Sequence, residues 1–350
     1  MLKSKTYVLW IDLLRITAML GIILIHVAAP LVYDFGNISL TNWYIANIYD
    51  SAVRNCAPIF FMISGYLLLN TAEPILLFYK KRILKVVIPL IVWSIIYIIW
   101  NSLFLGKDIL SFKSFYSIII SPAYYHLWFM YALIGVYLIV PILRIFIIHA
   151  RESHKWYYLT IWFLAVAIIP IFEKYTGIKN HIDFMAISGF VGFFVLGDLL
   201  GRIKISKKVF IVSLIASIIF PLLTAYGTYF LTNRHGHFDA FLYDEFSIDT
   251  ILFTITSFVV FKYIFQEYKT NNRYLSQGII TFISTASLGI YLIHPIILYY
   301  LENGNFGFIL TGQTGNPVIY IPLTTIVGFI ISAVIVYLLQ KIPLIRRIVP

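Results

Sequence analysis

The sequence predicts an all-α, polytopic membrane protein of about ten transmembrane helices with N- and C-termini cytoplasmic. Three observations point there. Apolar segments of about 20 residues recur along the whole 350-residue chain, each long enough to span a bilayer. With 61% hydrophobic and 12% charged residues and a mean hydropathy of +0.89, no stretch is polar enough for a sizeable soluble domain. Placing spans at 8–33, 45–70, 83–105, 126–148, 156–175, 184–201, 209–231, 250–267, 276–301 and 317–340 sorts the 26 Lys and Arg unevenly: nineteen lie on the side of the N-terminus, five lie opposite, and Arg15 and Arg54 lie within spans. That asymmetry is what the positive-inside rule requires. Residues 1–350 read as one integral-membrane domain.

The same numbers exclude other classes. The formal net charge of +11 is dispersed in short basic clusters between apolar runs, which argues for membrane topology and against a nucleic-acid partner. Cys56 is the sole cysteine, so the chain holds no internal disulfide and no cysteine-based metal site, and no HExxH-type spacing offers another metal.

The first span, DLLRITAMLGIILIHVAAP, carries Asp12, Arg15 and His26 in apolar surroundings. Lys3 and Lys5 precede it as they would a signal peptide, but Asp12 and Arg15 interrupt the run and its length suits an uncleaved helix. Arg15 pairs with Asp12 at i,i+3 as an interfacial anchor would, and His26 alone suits a hydrogen-bonded structural role. The two together say more. Eleven positions are almost three turns, so Arg15 and His26 share one helix face on the order of 16 Å apart.

The second span places Asp50 and Arg54 at the spacing of a helical ion pair, with Pro58 expected to kink the helix below them and Ser64-Gly65 allowing close packing. The third opens on Lys80, Lys81, Arg82 and Lys85, and the fourth ends near Arg144. These bases satisfy the positive-inside rule and also suit an anionic cofactor's phosphates. Residues 109–125 read as an amphipathic turn at the outer interface. The fourth span begins HLWFMY, bringing His126, Trp128 and Tyr131 to an aromatic belt. Gly197 and Gly201 near Arg202 serve helix packing, and loop 232–249, with His235, His237, Asp239, Asp244, Glu245 and Asp249, reads as solvated. The ninth span carries His294 in SLGIYLIHP, so three helices offer imidazoles at one depth, an arrangement suited to proton transfer near neutral pH.

Taken in order, the Arg-x10-His helix, RNCAPIFFMISGYLL, KRILKVVIPLIVWSIIY, HLWFMYALIGVYLIVPIL, GFFVLGDLLGRI and SLGIYLIHP resemble the acyltransferase 3 family of bacterial membrane O-acyltransferases over nearly the whole chain. The resemblance implies a multi-pass protein of the bacterial inner membrane that moves an acyl group, usually acetyl, from cytoplasmic acyl-CoA to a hydroxyl of a cell-surface or lipid-linked glycan. It matches the stand-alone members without an appended SGNH-type domain. Carried over by residue, Arg15, His26 and Arg54 are the catalytic set. Arg15, Arg82, Lys85 and Arg144 are the candidates for binding acetyl-CoA or another acyl-CoA, with no metal. His126, Trp128, His294 and Asp50 are the candidates for acceptor binding. His26 is expected either to act as general base on the acceptor hydroxyl or to carry the acyl group briefly, with Arg54 or another buried donor stabilising the oxyanion. Buried Arg, Asp and His also suit a proton-coupled transporter or a partner in polysaccharide assembly, although no internal repeat or paired broken helices in corresponding halves support transport.

Overall fold

The computed structural model of the chain describes residues 8–71, 73–106, 116–184, 189–266 and 275–350. Lys3, Lys5, Lys107, Asp108, Lys113, Lys269 and Arg273 lie outside them, as do residues 109–115 of the expected interfacial turn. Among the described residues every regular element is a helix: α1 (Leu9–Tyr33), α2 (Leu40–Ser51), α3 (Cys56–Leu68), α4 (Ile75–Arg82), α5 (Leu84–Phe104), α6 (Trp128–His149), α7 (Glu152–Phe163), α8 (Ile169–Thr176), α9 (Val191–Arg202), α10 (Lys207–His235), α11 (Ile248–Phe265), α12 (Leu275–Thr285), α13 (Ser287–Glu302) and α14 (Pro317–Gln340). Short 3-10 turns at Tyr125–Leu127, Phe241–Tyr243 and Ile345–Arg347 and a π-helical stretch at Leu164–Ile168, which joins α7 to α8, complete the set.

Among the described residues seven segments are long and apolar enough to cross a membrane: α1, α4 with α5, the Tyr125–Leu127 turn with α6, α7 with α8, α10, Phe241 through α11, and α14. The pair α12–α13, bent by 68° at its break, makes an eighth if it counts as one span. Two of the expected spans fall short of that length. The sixth is the 12-residue α9, and the second is divided by a turn at residues 52–55 into α2 and α3. Pro58 accounts for the division: it offers no N–H to the Arg54 carbonyl, and its ring crowds that carbonyl. The chain takes tight turns instead, with Val53 N–H donating to the Asp50 carbonyl and Cys56 N–H to the Val53 carbonyl, 3.1 Å each.

Helix α1 runs through the centre and packs on α2, α3, α11, α12, α13 and α14. The returning strand of chain is fixed by Trp43 Nε1 donating to the Val32 carbonyl (2.9 Å) at one end and by Trp10 against Tyr66 (5.4 Å between rings) at the other. The closest helix pair is α3 with α9. There Gly65 lies against the Phe194 backbone carbonyl and Gly197 against the Met62 carbonyl, so a side chain at either position would sit inside the partner's backbone. Outward, α5, α6, α10 and α14 present runs of exposed Ile, Leu and Val, among them Ile142, Ile145, Ile218 and Ile330, and α7 and α8 expose Trp156, Tyr157, Phe172 and Tyr175, as lipid-facing helices do. At the end of the bundle that holds the start of α1, Glu73 pairs with Lys81 (2.7 Å) and Arg202 with Asp198 (2.7 Å). At the other end, Lys174 pairs with Asp239 (3.0 Å). Lys81 and Arg202 thus lie at the end opposite Lys174.

Gly65→Val should force α3 and α9 apart, with overpacking costing about 1–3 kcal/mol. Thermal unfolding of purified protein in detergent should show a lower midpoint, and Gly135→Ala, at an exposed site with open space, should not.

Candidate active site

At the α1 C-terminal end a cavity of about 500 Å³ opens between α1, the 52–55 turn, the start of α6, the 243–245 segment and α13. From α1 it takes Ile22, Ile25, His26, Ala29 and Tyr33, a helical repeat of three and four that turns one face to the cavity. Its remaining wall is largely aromatic: Tyr125, Trp128, Phe129, Tyr243 and Tyr291. Trp128 is held by stacking on Phe190 (5.7 Å). An aromatic wall with a few convergent polar groups is the usual form of a small-molecule site.

The three imidazoles expected at one depth meet here. His26 stacks on His294 with 5.2 Å between centroids, and His126 meets His294 edge-on at 5.4 Å. Tyr125 caps His26 (4.9 Å) and Tyr97 packs on His126 (4.9 Å). His294 Nδ1 lies 2.6 Å from the Tyr291 carbonyl, which makes Nδ1 the protonated nitrogen and leaves Nε2 with its lone pair. His126 and His294 are 1% and 0% exposed, yet both His126 nitrogens and His294 Nε2 find no partner among the described residues. Buried polar groups are nearly always satisfied, so these nitrogens mark a place for water or substrate.

Arg54 forms the opposite wall. It pairs with the buried Asp50, lies 3.8 Å above the Tyr243 ring and points Nη1 at the Tyr243 carbonyl (3.5 Å). Tyr243 in turn donates to Asn47 Oδ1 (2.5 Å), and Asn47 Nδ2 donates to the Ala225 carbonyl (2.8 Å), locking α2, α10 and this segment together. The expected solvated character of loop 232–249 holds for His235, His237 and Asp244 but not for Asp239, Glu245 and Asp249. Asp239 is bound by Lys174, His235 (2.9 Å) and the Phe241 amide (2.8 Å); Glu245 lines the cavity beside Arg54; Asp249 bonds the Thr224 hydroxyl. Burial works against the Asp239 charge, but the Phe241 amide, Lys174 and His235 outweigh it and hold the carboxyl below its ordinary pKa.

The basic set lies about three turns away along α1. Arg15 donates from Nη1 to Ser284 Oγ (3.0 Å), and Ser284 donates to Asp12 Oδ1 (2.5 Å), so the Asp12–Arg15 pair is bridged through α12. Tyr137, bonded to Ser64, lies within the electrostatic reach of both Arg15 and Arg82. Arg82 Nε is buried without a partner among the described residues, while Lys85 is exposed. Arg144 is otherwise engaged. Its Nε donates to the Leu68 carbonyl (2.8 Å), its Nη2 to Thr71 (2.7 Å), and its guanidinium covers the Phe78 ring (4.5 Å). Among the described residues no group of three or more His, Cys, Asp or Glu is arranged to hold a metal ion.

The family model described as an acyltransferase domain (Acyl_transf_3) matches residues 8–337. The chain belongs to the acyltransferase 3 family. Membership makes it a multi-pass membrane acyltransferase. No curated protein and no solved structure matches it, so the family model alone carries this assignment.

Breaking the Asp50–Arg54 pair by Asp50→Ala should destabilise by about 3–5 kcal/mol, because the guanidinium stays buried without its counter-charge. The double variant Asp50→Leu with Arg54→Met should recover most of that loss in thermal unfolding but not activity. Asp239 contributes stability that is complete above about pH 4, its unfolded value, and that is lost as pH falls through its lowered folded value. Asp239→Asn should therefore speed amide hydrogen exchange in residues 236–247 at neutral pH and remove that acid dependence.

Proposed function

We propose that this acyltransferase takes a short acyl group, acetyl in the first place, from acyl-CoA at the basic end and delivers it to a hydroxyl of a cell-surface or lipid-linked glycan in the large cavity. In this reading the protein spans the bacterial inner membrane about ten times, with α2–α3 and α9 completing the count and both termini in the cytoplasm. The observation that carries the reading is His26 on the wall of a cavity whose helix, about 16 Å away on the same face, presents Arg15 beside the bases. That separation is on the scale of an extended pantetheine arm.

The basic end suits an elongated anionic donor. Arg82 has an unpartnered buried Nε, Arg15 has donors to spare beyond Ser284, and Lys85 is open to solvent. Arg144, committed to Leu68 and Thr71, shapes this end more than it binds phosphate. In the cavity, His26 removes the proton of the acceptor hydroxyl as the oxygen attacks the thioester carbon. The C–S bond breaks, and the proton passes from His26 to the departing thiolate. Arg54 offsets the negative charge that develops at the reacting oxygens. His294 and His126 orient the acceptor and relay protons, Trp128 offers a face for a sugar ring, and Asp50 fixes Arg54.

The two interrupted segments, α2–α3 and α12–α13, are features a proton-coupled transporter would share. The test therefore reads both activities. Purified protein in lipid vesicles receives radiolabelled acetyl-CoA and extracted cell-surface glycans. Wild type should label the glycan, and His26→Ala should lose about a hundredfold or more in turnover while remaining folded. Arg15→Ala should chiefly raise the KM for acyl-CoA. Glycan labelling by His26→Ala within tenfold of wild type would remove His26 from the chemistry, and solute flux without acyl-CoA consumption would establish transport instead.

A further inference from the structure

His26 borders a second, smaller compartment that the reaction above leaves unused. On a helical wheel the α1 residues of the large cavity centre on one direction, while Val27 and Leu31 lie roughly 100° or more around the helix. His26 and Pro30 stand on the seam and line both spaces. The second compartment measures about 50 Å³, is walled by Leu31, Leu298, Leu310, Gly312 and Thr324, and opens toward solvent on the side of the exposed Glu302 and Gln313. It exists because the 303–316 loop folds back onto α1. Leu310 N–H donates to the Leu301 carbonyl (2.9 Å), and Gly312 packs 3.0 Å from the Val27 carbonyl when measured from where its Cβ would stand.

Thr324 is the unusual group here. It is 2% exposed, and its hydroxyl finds no partner among the described residues. The next residue behaves as helix threonines commonly do: Thr325 Oγ1 donates to the Ile321 carbonyl at 2.8 Å. A buried hydroxyl left unsatisfied beside a small, mostly apolar space is a donor waiting for an acceptor.

We propose that this compartment receives the acyl group during transfer, with Thr324 donating to the acyl carbonyl oxygen and Leu31, Leu298 and Leu310 enclosing the methyl. The inference rests on the transferase reading above and adds the determinant of acyl choice. Size decides first: one water needs about 10–15 Å³ of such space, so the compartment holds roughly three to five water-sized groups. An acetyl group has about three heavy atoms and fits; a succinyl group has about seven and does not. Charge acts in the same direction, since Glu302 at the mouth repels a terminal carboxylate. With the acyl group here and the acceptor in the large cavity, His26 stands between the two reactants, where a base must be.

The test measures CoA release from acetyl-, butyryl- and succinyl-CoA by full-length protein in lipid vesicles with extracted glycans. Wild type should favour acetyl over succinyl by tenfold or more and use butyryl, whose roughly five heavy atoms reach the limit of the compartment, less well than acetyl. Leu310→Ala should raise the butyryl-to-acetyl ratio at least tenfold. Thr324→Val should lower kcat tenfold or more with little change in KM for acetyl-CoA, and Thr324→Ser should restore it. Equal use of the three donors by wild type, an unchanged ratio in Leu310→Ala, or full kcat in Thr324→Val would each overturn the assignment of this compartment while leaving the transferase reading in place. Release from none of the donors by folded wild type would overturn that reading, and this inference with it.

Discussion

A guanidinium enters the apolar interior of a membrane protein only in company, because the uncompensated charge costs several kcal/mol. The pairing of Arg54 with Asp50 is therefore the constraint on which the cavity end of this structure depends. Both groups must come from one short stretch, the stretch must turn inward, and Pro58 supplies the interruption that lets it do so. Tyr243 then covers the guanidinium, a contact worth about 2 kcal/mol when desolvated. Once Tyr243 is bound there and to Asn47, the segment behind it must cross the cavity mouth, and Glu245 comes with it. One ion pair thus fixes a helix break, a loop path and a cavity wall.

The cavity survives because the packing around it is otherwise tight. Backbones meet at Gly65 and Gly197, and Phe61 stacks on Phe190 (4.2 Å), so α3, α9 and the residues before α9 form a solid block. Against that block the aromatic side chains of the cavity cannot collapse inward. Rings supply wide, stiff surface with few rotamers, so a space lined by them keeps its shape at little entropic cost.

What the sequence made legible was whatever repeats with the helix or changes sign across the membrane. The Arg15–His26 face follows from 3.6 residues per turn, the common depth of His26, His126 and His294 follows from topology, and the interruption near Arg54 follows from Pro58. The unread parts depend on contacts between distant residues. Glu245 reaches the cavity because Tyr243 is held by Asn47, 196 positions earlier, and no local pattern announces that bond. Arg144 shows in the sequence as one more base at a helix end; only the fold reveals that Leu68 and Thr71 already occupy it. Segment length is less legible for a related reason. α9 and the α2–α3 pair are apolar enough to read as spans, but the first has 12 residues and the second is divided at residues 52–55, because helix length is set by where a chain must turn to reach its partners.

The two ends of the site are not independent. Arg15 reaches Ser284 on α12, and His26, about 16 Å further along α1, stacks on His294 of α13. Between Ser284 and His294 lies the 68° bend. α1 is one continuous helix, so it acts as a strut that holds both arms of the bent pair at fixed points. Straightening the bend would pull either Ser284 from Arg15 or His294 from His26. In the proposed reaction, a donor held at Arg15 and an acceptor held at His26 would therefore both lie against the same bent pair.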